Sequence, residues 1–306
     1  MTSRHAASRE PRVLVVYKKS TYQQLVNEQR NRRVRKLLAE GDRTVERFRE
    51  AHEAHLRSVE ATKRALRSLG VRHAFAYLET RRASARGFDL VVTLGGDGTL
   101  LWASHMVQAE TPMLGLNTSP RDSVGYFCAG DTQNVEVMLS EALGGRLKAT
   151  ELARLRVRLR GKILSSRVLN DLLFCHECPA ATSRYLLRHG AVEEDQKSSG
   201  IWVGPAAGST AAQHSAGGRV LPIRSQQIQY VVREPYPVSK EYDLVRGLVE
   251  PGQVLSVRSK MPIAHVYIDG PHREHTVRFG EELRLDRSDE PLTLLGLTRR
   301  SRSASP

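Results

Sequence analysis

Apolar residues fall in short unbroken runs through the first half of the chain and alternate with polar ones through much of the second. Val13 to Val16, inside the stretch Arg12 to Tyr17, is too continuous for a half-exposed strand and predicts one buried on both faces. Val71 to Leu78, Phe88 to Leu94 and Pro112 to Leu116 predict further strands. Between them the period lengthens. Tyr22 to Glu40 is a basic helical candidate, and Asp42 can cap a second helix carrying Val45, Phe48, His52, Leu56, Val59, Ala65 and Leu69 at three- and four-residue spacing, closed by Gly70. After the polar connection Glu79 to Gly87, helices are expected near Thr99 and over Thr132 to Leu143. This alternation is that of a parallel sheet with flanking helices.

Beyond Gly144-Gly145 the period drops to two. Arg154, Arg156, Arg158 and Arg160 alternate with Leu155, Val157 and Leu159, which reads as a half-exposed strand with a solvated arginine ladder. Short strands follow over Ile163 to Phe174, Arg184 to Arg188, Gln227 to Val232, Val254 to Val257, His265 to Ile268 and Leu292 to Leu297, with one helical stretch near Ser209 to Ala216. The expected fold is therefore an α/β N-terminal domain with a parallel sheet and flanking helices, plus a mainly β C-terminal domain. Its expected limits are a disordered tail 1–11, domains 12–145 and 146–300, and a polar tail 301–306.

Composition narrows the function. The 306 residues carry a net charge of +14, which suits anionic partners such as nucleotides. The arginines are spread along the chain, and Asn31 to Lys36 reads as a solvated helix face, so nucleic acid is not the expected partner. No apolar run approaches the length needed to span a bilayer, so no membrane association is expected. Three cysteines within Cys128 to Cys178 argue for a reducing compartment, and the expected location is cytoplasmic. Cys175-His176-Glu177-Cys178 has the spacing of half a zinc site but lacks obvious remaining ligands, so no metal-binding residues are assigned.

The chemistry concentrates in Gly95-Gly96-Asp97-Gly98-Thr99, which follows the strand ending at Leu94. Glycines there let backbone N–H groups approach an anion, and a helix start adds its positive end. A carboxylate among phosphate-binding amides needs a purpose. Asp97 can orient or deprotonate an attacking hydroxyl; the plainer reading is that it caps the helix. The polar exit Asn117 to Gly125, the pair Asn170-Asp171 and the small-residue segment Lys197 to Ala211 could each line a ligand crevice or be ordinary loops.

The ordered set Gly95-Gly96-Asp97-Gly98-Thr99, Gly115-Leu116-Asn117, Leu169-Asn170-Asp171, Ser183-Arg184-Tyr185, Ser199-Gly200, Gly208-Ser209-Thr210-Ala211 and Ser215-Ala216-Gly217-Gly218 resembles the ATP-dependent NAD kinases. The details around Asn117 to Gly125 and Gln196 to Gly200 resemble the mitochondrial-type branch. The resemblance implies a two-domain fold with its active site between the halves, and transfer of the γ-phosphoryl of ATP to the 2′-hydroxyl of the adenosine ribose of NAD or NADH. It implies Asp97 as the catalytic carboxylate and Gly95, Gly96, Gly98 and Thr99 as the phosphate turn. Asn117, Asn170, Asp171, Ser199, Ala207, Thr210, Ala211 and Ser215 are the remaining expected nucleotide-binding positions. Mg²⁺ or another divalent cation is expected to arrive on the triphosphate, and a homo-oligomer, dimer or tetramer, is expected.

Four positions depart from the family pattern. Asp171 stands where the family has Glu. Ser199 replaces an Asp that reaches the nicotinamide end, Ala207 replaces a hydroxyl residue, and Ala212 replaces an aromatic. The alternatives are a diacylglycerol-type lipid kinase, which shares the Asp97 turn, and a catalytically weak NAD-binding regulator.

Overall fold

The computed structural model describes residues 10–78, 84–121, 123–236 and 242–297. Most of the expected N-terminal tail, the expected 301–306 tail, Asp122 and part of the Glu79 to Gly87 connection lie outside the described residues. Two compact units form: one comprises the described residues up to Thr150 with those from Thr293 on, the other Glu151–Leu292.

In the first unit, β1 (Arg12–Tyr17), β2 (Arg72–Tyr77), β3 (Leu90–Leu94), β4 (Met113–Asn117) and β5 (Cys128–Asp131) pair in parallel. β6 (Ala149–Leu152) closes the far edge of the sheet. Every residue of β3 and β4 is buried, as their continuous apolar runs require of central parallel strands. The helices are α1 (Arg32–Ala39), α2 (Phe48–Ser68), α3 (Asp97–Ser104) and α4 (Val135–Leu143). Val59 and Leu66 of α2 and Leu139 of α4 share a core with Val13, Val92 and Leu114 of the strands.

The expected helix Tyr22 to Glu40 is broken. A π-helical turn, Gln23–Glu28, is followed by Arg30 at φ +50°, and Asn31 then caps α1 by accepting the Val34 N–H at 3.1 Å. Asp42 caps no helix directly: its carboxylate takes the Thr44 N–H and hydroxyl, and α2 starts six residues later. The buried stripe of α2 runs through His55, Ser58, Val59, Thr62, Ala65 and Leu66, leaving Leu56 49% exposed. Gly70 ends α2 in the left-handed conformation, as its position suggested.

The second unit is two six-stranded sheets. One contains β7 (Leu155–Leu159), β8 (Lys162–Val168), β10 (Ser183–His189), β11 (Val192–Ser198), β15 (Leu255–Ser259) and β18 (Glu282–Arg287). The other contains β9 (Leu172–His176), β12 (Ile201–Pro205), β13 (Ile228–Val232), β14 (Arg246–Val249), β16 (Ile263–Ile268) and β17 (Glu274–Arg278). Val157, Tyr185 and Leu285 of the first pack with Phe174, Val203 and Val266 of the second in one core.

Several expectations change here. The run Ile163 to Phe174 is two strands, β8 and β9, separated at Leu169 to Asp171. Part of the small-residue segment Lys197 to Ala211, read as lining a ligand crevice or as an ordinary loop, is β12, hydrogen-bonded between β9 and β13. The helical stretch near Ser209 to Ala216 shortens to a 3₁₀ turn, Ala206–Gly208, and α5 (Ala212–Ser215). The stretch Leu292 to Leu297 supplies β19 (Leu292–Leu295), which pairs with β4 in the first unit's sheet.

Of the arginine ladder only Arg160 is exposed to solvent; the other three are buried or paired. Arg156 pairs with Asp286 and Asp289, and Arg158 with Asp286 at 3.1 Å. Arg154 is fully buried, donating to the carbonyls of Glu290 at 2.6 Å and Pro291 at 2.8 Å. Burial pushes its guanidinium down to about 10.

Candidate functional site

The glycine turn joins β3 to α3 with little room to spare. A Cβ on Gly95 would lie 2.2 Å from the Thr99 hydroxyl, and one on Gly96 would lie 2.1 Å from that of Ser123. Gly98 is exposed with open space around its Cβ position, so no crowding demands a glycine there. Thr99 is 1% exposed, and its hydroxyl has no hydrogen-bond partner among the described residues.

Asp97 does not cap its own helix. Its carboxylate accepts the backbone N–H groups of Tyr126 at 2.9 Å and Phe127 at 2.8 Å, one on each oxygen. Two amide donors fix the orientation while leaving each oxygen a lone pair for a further donor. Asn117 builds this arrangement from behind: it donates to the Ser123 carbonyl and accepts the Ser119 N–H, both at 3.0 Å. Gly125, with φ at +65°, packs against the Asn117 amide, where a Cβ would come within 2.5 Å of Nδ2. Asn117, expected as a nucleotide-binding residue, also shapes the loop that delivers Tyr126 and Phe127 to Asp97, using one donor and one acceptor of its amide. Cys128 follows that loop. Burial first, and the Asp97 charge second, push its thiol up to about 12, so it stays protonated.

In the second unit, the turn at Asn170-Asp171 is held by a residue that motif reading missed. Asp269, itself left-handed at φ +48°, accepts the N–H groups of Leu169, Asn170 and Asp171 at 2.9, 2.7 and 3.1 Å. The Asn170 carbonyl faces Gly204 and Gly208, where a Cβ would approach to 2.3 and 1.8 Å, and accepts Gln213 Nε2 at 3.3 Å. The Asn170 side chain is half-buried and makes no hydrogen bond among the described residues, which leaves its amide to meet a ligand. Asp171 is buried; desolvation, and then the Asp269 charge, push its carboxyl up to about 7. Near neutrality it can donate as well as accept.

The remaining expected residues lie along β12 and α5. The Ser199 hydroxyl donates to the Glu234 carboxylate, and its backbone N–H pairs with the Arg233 carbonyl at 2.9 Å. Ala207 is buried in the 3₁₀ turn, Thr210 and Ala211 are half-buried beyond it, and Ser215 is exposed at the end of α5. Ala212 and Ser215 line a cavity with Trp202, Arg233 and Glu234, none of which the motifs flagged. All three cysteines are free thiols. Among the described residues no three His, Cys, Asp or Glu side chains converge as metal ligands. No described helix is long and apolar enough to cross a membrane.

A glycine turn with an anchored carboxylate at a helix start, and an Asn-Asp turn clamped from below, invite comparison with known proteins. Residues 4–146 match the family model described as ATP-NAD kinase N-terminal domain. The chain is 39% identical over 226 residues to a probable NADH kinase of Oryza sativa subsp. japonica, covering 67% of this chain and 69% of the relative. It is 35% identical over 229 residues to an NADH kinase of Arabidopsis thaliana, covering 68% and 72%. In fold it resembles the crystal structure of an NAD kinase from Archaeoglobus fulgidus in complex with ATP, with a TM-score of 0.68 at 21% identity over 96% of both chains. The chain belongs to the NAD kinase family.

Proposed function

We propose that the protein phosphorylates the 2′-hydroxyl of the adenosine ribose of NAD or NADH, with ATP as donor. The observation that carries this reading is Asp97, a half-buried carboxylate at a helix start, oriented by two amides on a glycine turn. A sugar hydroxyl is a weak nucleophile at neutral pH. A fixed carboxylate that receives its proton, or aims its lone pair, is expected to contribute about 10²- to 10⁴-fold.

The amides of the Gly95 to Gly98 turn and the N-terminus of α3 supply the positive field for phosphate oxygens, and the unpartnered Thr99 hydroxyl a further donor. Asn170 offers its free amide to the adenosine end, and Asp171 a carboxyl that can donate near neutral pH. Thr210, Ala211 and Ser215 border the dinucleotide. Mg²⁺ enters as part of the Mg-ATP substrate, held on the triphosphate oxygens.

The lipid-kinase and regulator alternatives find no support among the relatives. We further assign the protein to the cytoplasm, supported by its three free thiols, and to a homo-oligomer, supported by the family resemblance. The test of the reaction is product identity. Purified protein with Mg-ATP and NAD should yield a compound that an NADP-specific dehydrogenase reduces; ATP hydrolysis without such a product would overturn the reading.

A further inference from the structure

The sheet of the second unit that holds β7, β10, β15 and β18 carries many arginines on its outer face, and one of them stands apart. Register places Arg158, Arg284, Ser256 and Arg188 side by side across β7, β18, β15 and β10. Arg156 and Arg158 pair with Asp286, Arg160 with Glu281, and Arg188 and Arg258 with Glu282. Arg284 is exposed on β18 between Glu282 and Asp286, both already engaged, and makes no ion pair among the described residues. Its partner across the strands is another arginine, Arg158, and like charges directly opposite destabilise a sheet.

Beside Arg284 lies a cavity of about 260 Å³, lined by Arg188, Gly190, Gln253, Val254, Ser256 and Arg284. It is smaller than drug-sized sites, which begin at about 300 Å³, and suits a small ion. The turn between β10 and β11 forms one wall, where Gly190 has φ +60° and no atom stands within 4 Å of the place its Cβ would take. The turn before β15 forms another, with Gly252 at φ +89° and the Gln253 N–H donating to the Glu250 carbonyl at 2.9 Å.

The Gln253 carboxamide is held by its oxygen. Oε1 accepts the Glu250 N–H at 3.0 Å and meets His189 Nε2 at 3.3 Å. An acceptor there requires the imidazole proton on Nε2, so Nδ1 receives the Tyr230 hydroxyl at 3.4 Å; burial pushes that hydroxyl up to about 12, and it stays protonated. This chain from Tyr230 through His189 leaves the Gln253 NH₂ without a partner among the described residues. The cavity is therefore lined by two guanidinium groups and a free amide donor. Two carboxylates lie nearby. Glu282 is occupied by Ser256, Arg188 and Arg258, Glu193 stands opposite Arg188 on β11, and neither lines the cavity.

We propose that this cavity binds a compact oxyanion, a phosphate or diphosphate group, with Arg284 and Arg188 supplying the charge and the Gln253 NH₂ a fixed donor. Planar guanidinium forks match phosphate oxygens in pairs. The position is separate from the nucleotide-binding residues of this unit. The Asn170 turn and α5 pack on β12 of the other sheet, and Ser199 follows the far end of β11, about 20 Å of strand from Gly190. The same donors fit free phosphate, diphosphate or the phosphate end of a metabolite, and the ligands compared below separate these sources.

The experiment titrates the full chain with inorganic phosphate, pyrophosphate and glycerol 3-phosphate by calorimetry, in wild type, Arg284→Gln and Gln253→Glu, and follows hydrogen exchange over 187–192 and 250–257. Arg284 has no ion pair to lose, so its variant should unfold within about 2 °C of wild type. Gln253→Glu keeps an oxygen for Glu250 and His189 and replaces the NH₂ by a second oxygen. Saturable pyrophosphate binding, protection of both segments by it, and an affinity at least about tenfold lower in each variant are expected, the scale of a charge-assisted hydrogen bond. Glycerol 3-phosphate binding as tightly as phosphate assigns the site to a phosphate monoester; its rejection assigns the site to the free ion. Pyrophosphate that protects only the Gly95 to Thr99 turn, or binds both variants as it binds wild type, would overturn the proposal. No turnover is measured, so the outcome is independent of the reaction proposed above.

Discussion

Replacing Asp171 by asparagine should stabilise the protein, and by an amount that depends on pH. The side chain is 7% exposed, and burial beside the charged Asp269 holds its carboxyl at about 7, against an ordinary value of 3.8. Between those two values the native state keeps the proton that the unfolded chain has lost. Stability therefore falls as pH rises through that window. At about 1.4 kcal/mol for each unit, three units cost about 4 kcal/mol by pH 7, and the loss is complete above it. The carboxamide that replaces the carboxyl has no proton to lose. Urea unfolding of both proteins at pH 4, 5.5, 7 and 8 should show near-equal stability at pH 4 and an advantage for Asp171→Asn approaching about 4 kcal/mol at pH 8. Parallel pH profiles, or a variant weaker than wild type at pH 8, would refute the burial argument.

Three further outcomes follow from the packing. Gly208→Ala drives a Cβ to 1.8 Å from the Asn170 carbonyl and should cost more than about 3 kcal/mol or prevent folding, while Gly98→Ala, with open space, should leave the thermal midpoint within about 2 °C. Asn117→Ala removes both hydrogen bonds that shape the loop before Tyr126; a loss of about 1–3 kcal/mol is expected, with kcat falling more than KM rises. Arg154→Met strips the Glu290 and Pro291 carbonyls of a buried donor, and chemical denaturation should register a loss of about 2–4 kcal/mol.

What the sequence disclosed and what it hid divide along physical lines. β1, β3 and β4 were readable because central parallel strands bury both faces and so write continuous apolar runs. The turn at Gly95 to Thr99 was readable because its glycines and carboxylate lie together in sequence at a strand end and helix start, although Ser123, Tyr126 and Phe127 that complete it do not. β11 was not: its inward positions are Glu194, Gln196 and Ser198, polar residues made tolerable by distant partners. Glu194 accepts the Asp243 and Leu244 N–H groups, and Gln196 donates to the Leu244 carbonyl. β12 was obscured by Gly204 and Pro205, which suggest a loop until Asn170 is seen to need the space beside Gly204. The same distance hid Asp269, about a hundred residues from the amides it holds, and the pairing of Ser199 with Glu234. The arginine ladder misled because alternation reports which face a side chain occupies, not whether a carboxylate waits there.

The account depends most on Asp97. Asp97→Asn keeps the shape and one amide-accepting oxygen while removing the charge and the capacity to take a proton. Measured with saturating Mg-ATP and NAD, kcat should fall by about 10³-fold, with the dissociation constant for NAD within about threefold of wild type by calorimetry. A variant that folds, binds NAD and forms product at a rate near that of the wild type would contradict the role assigned to this carboxylate.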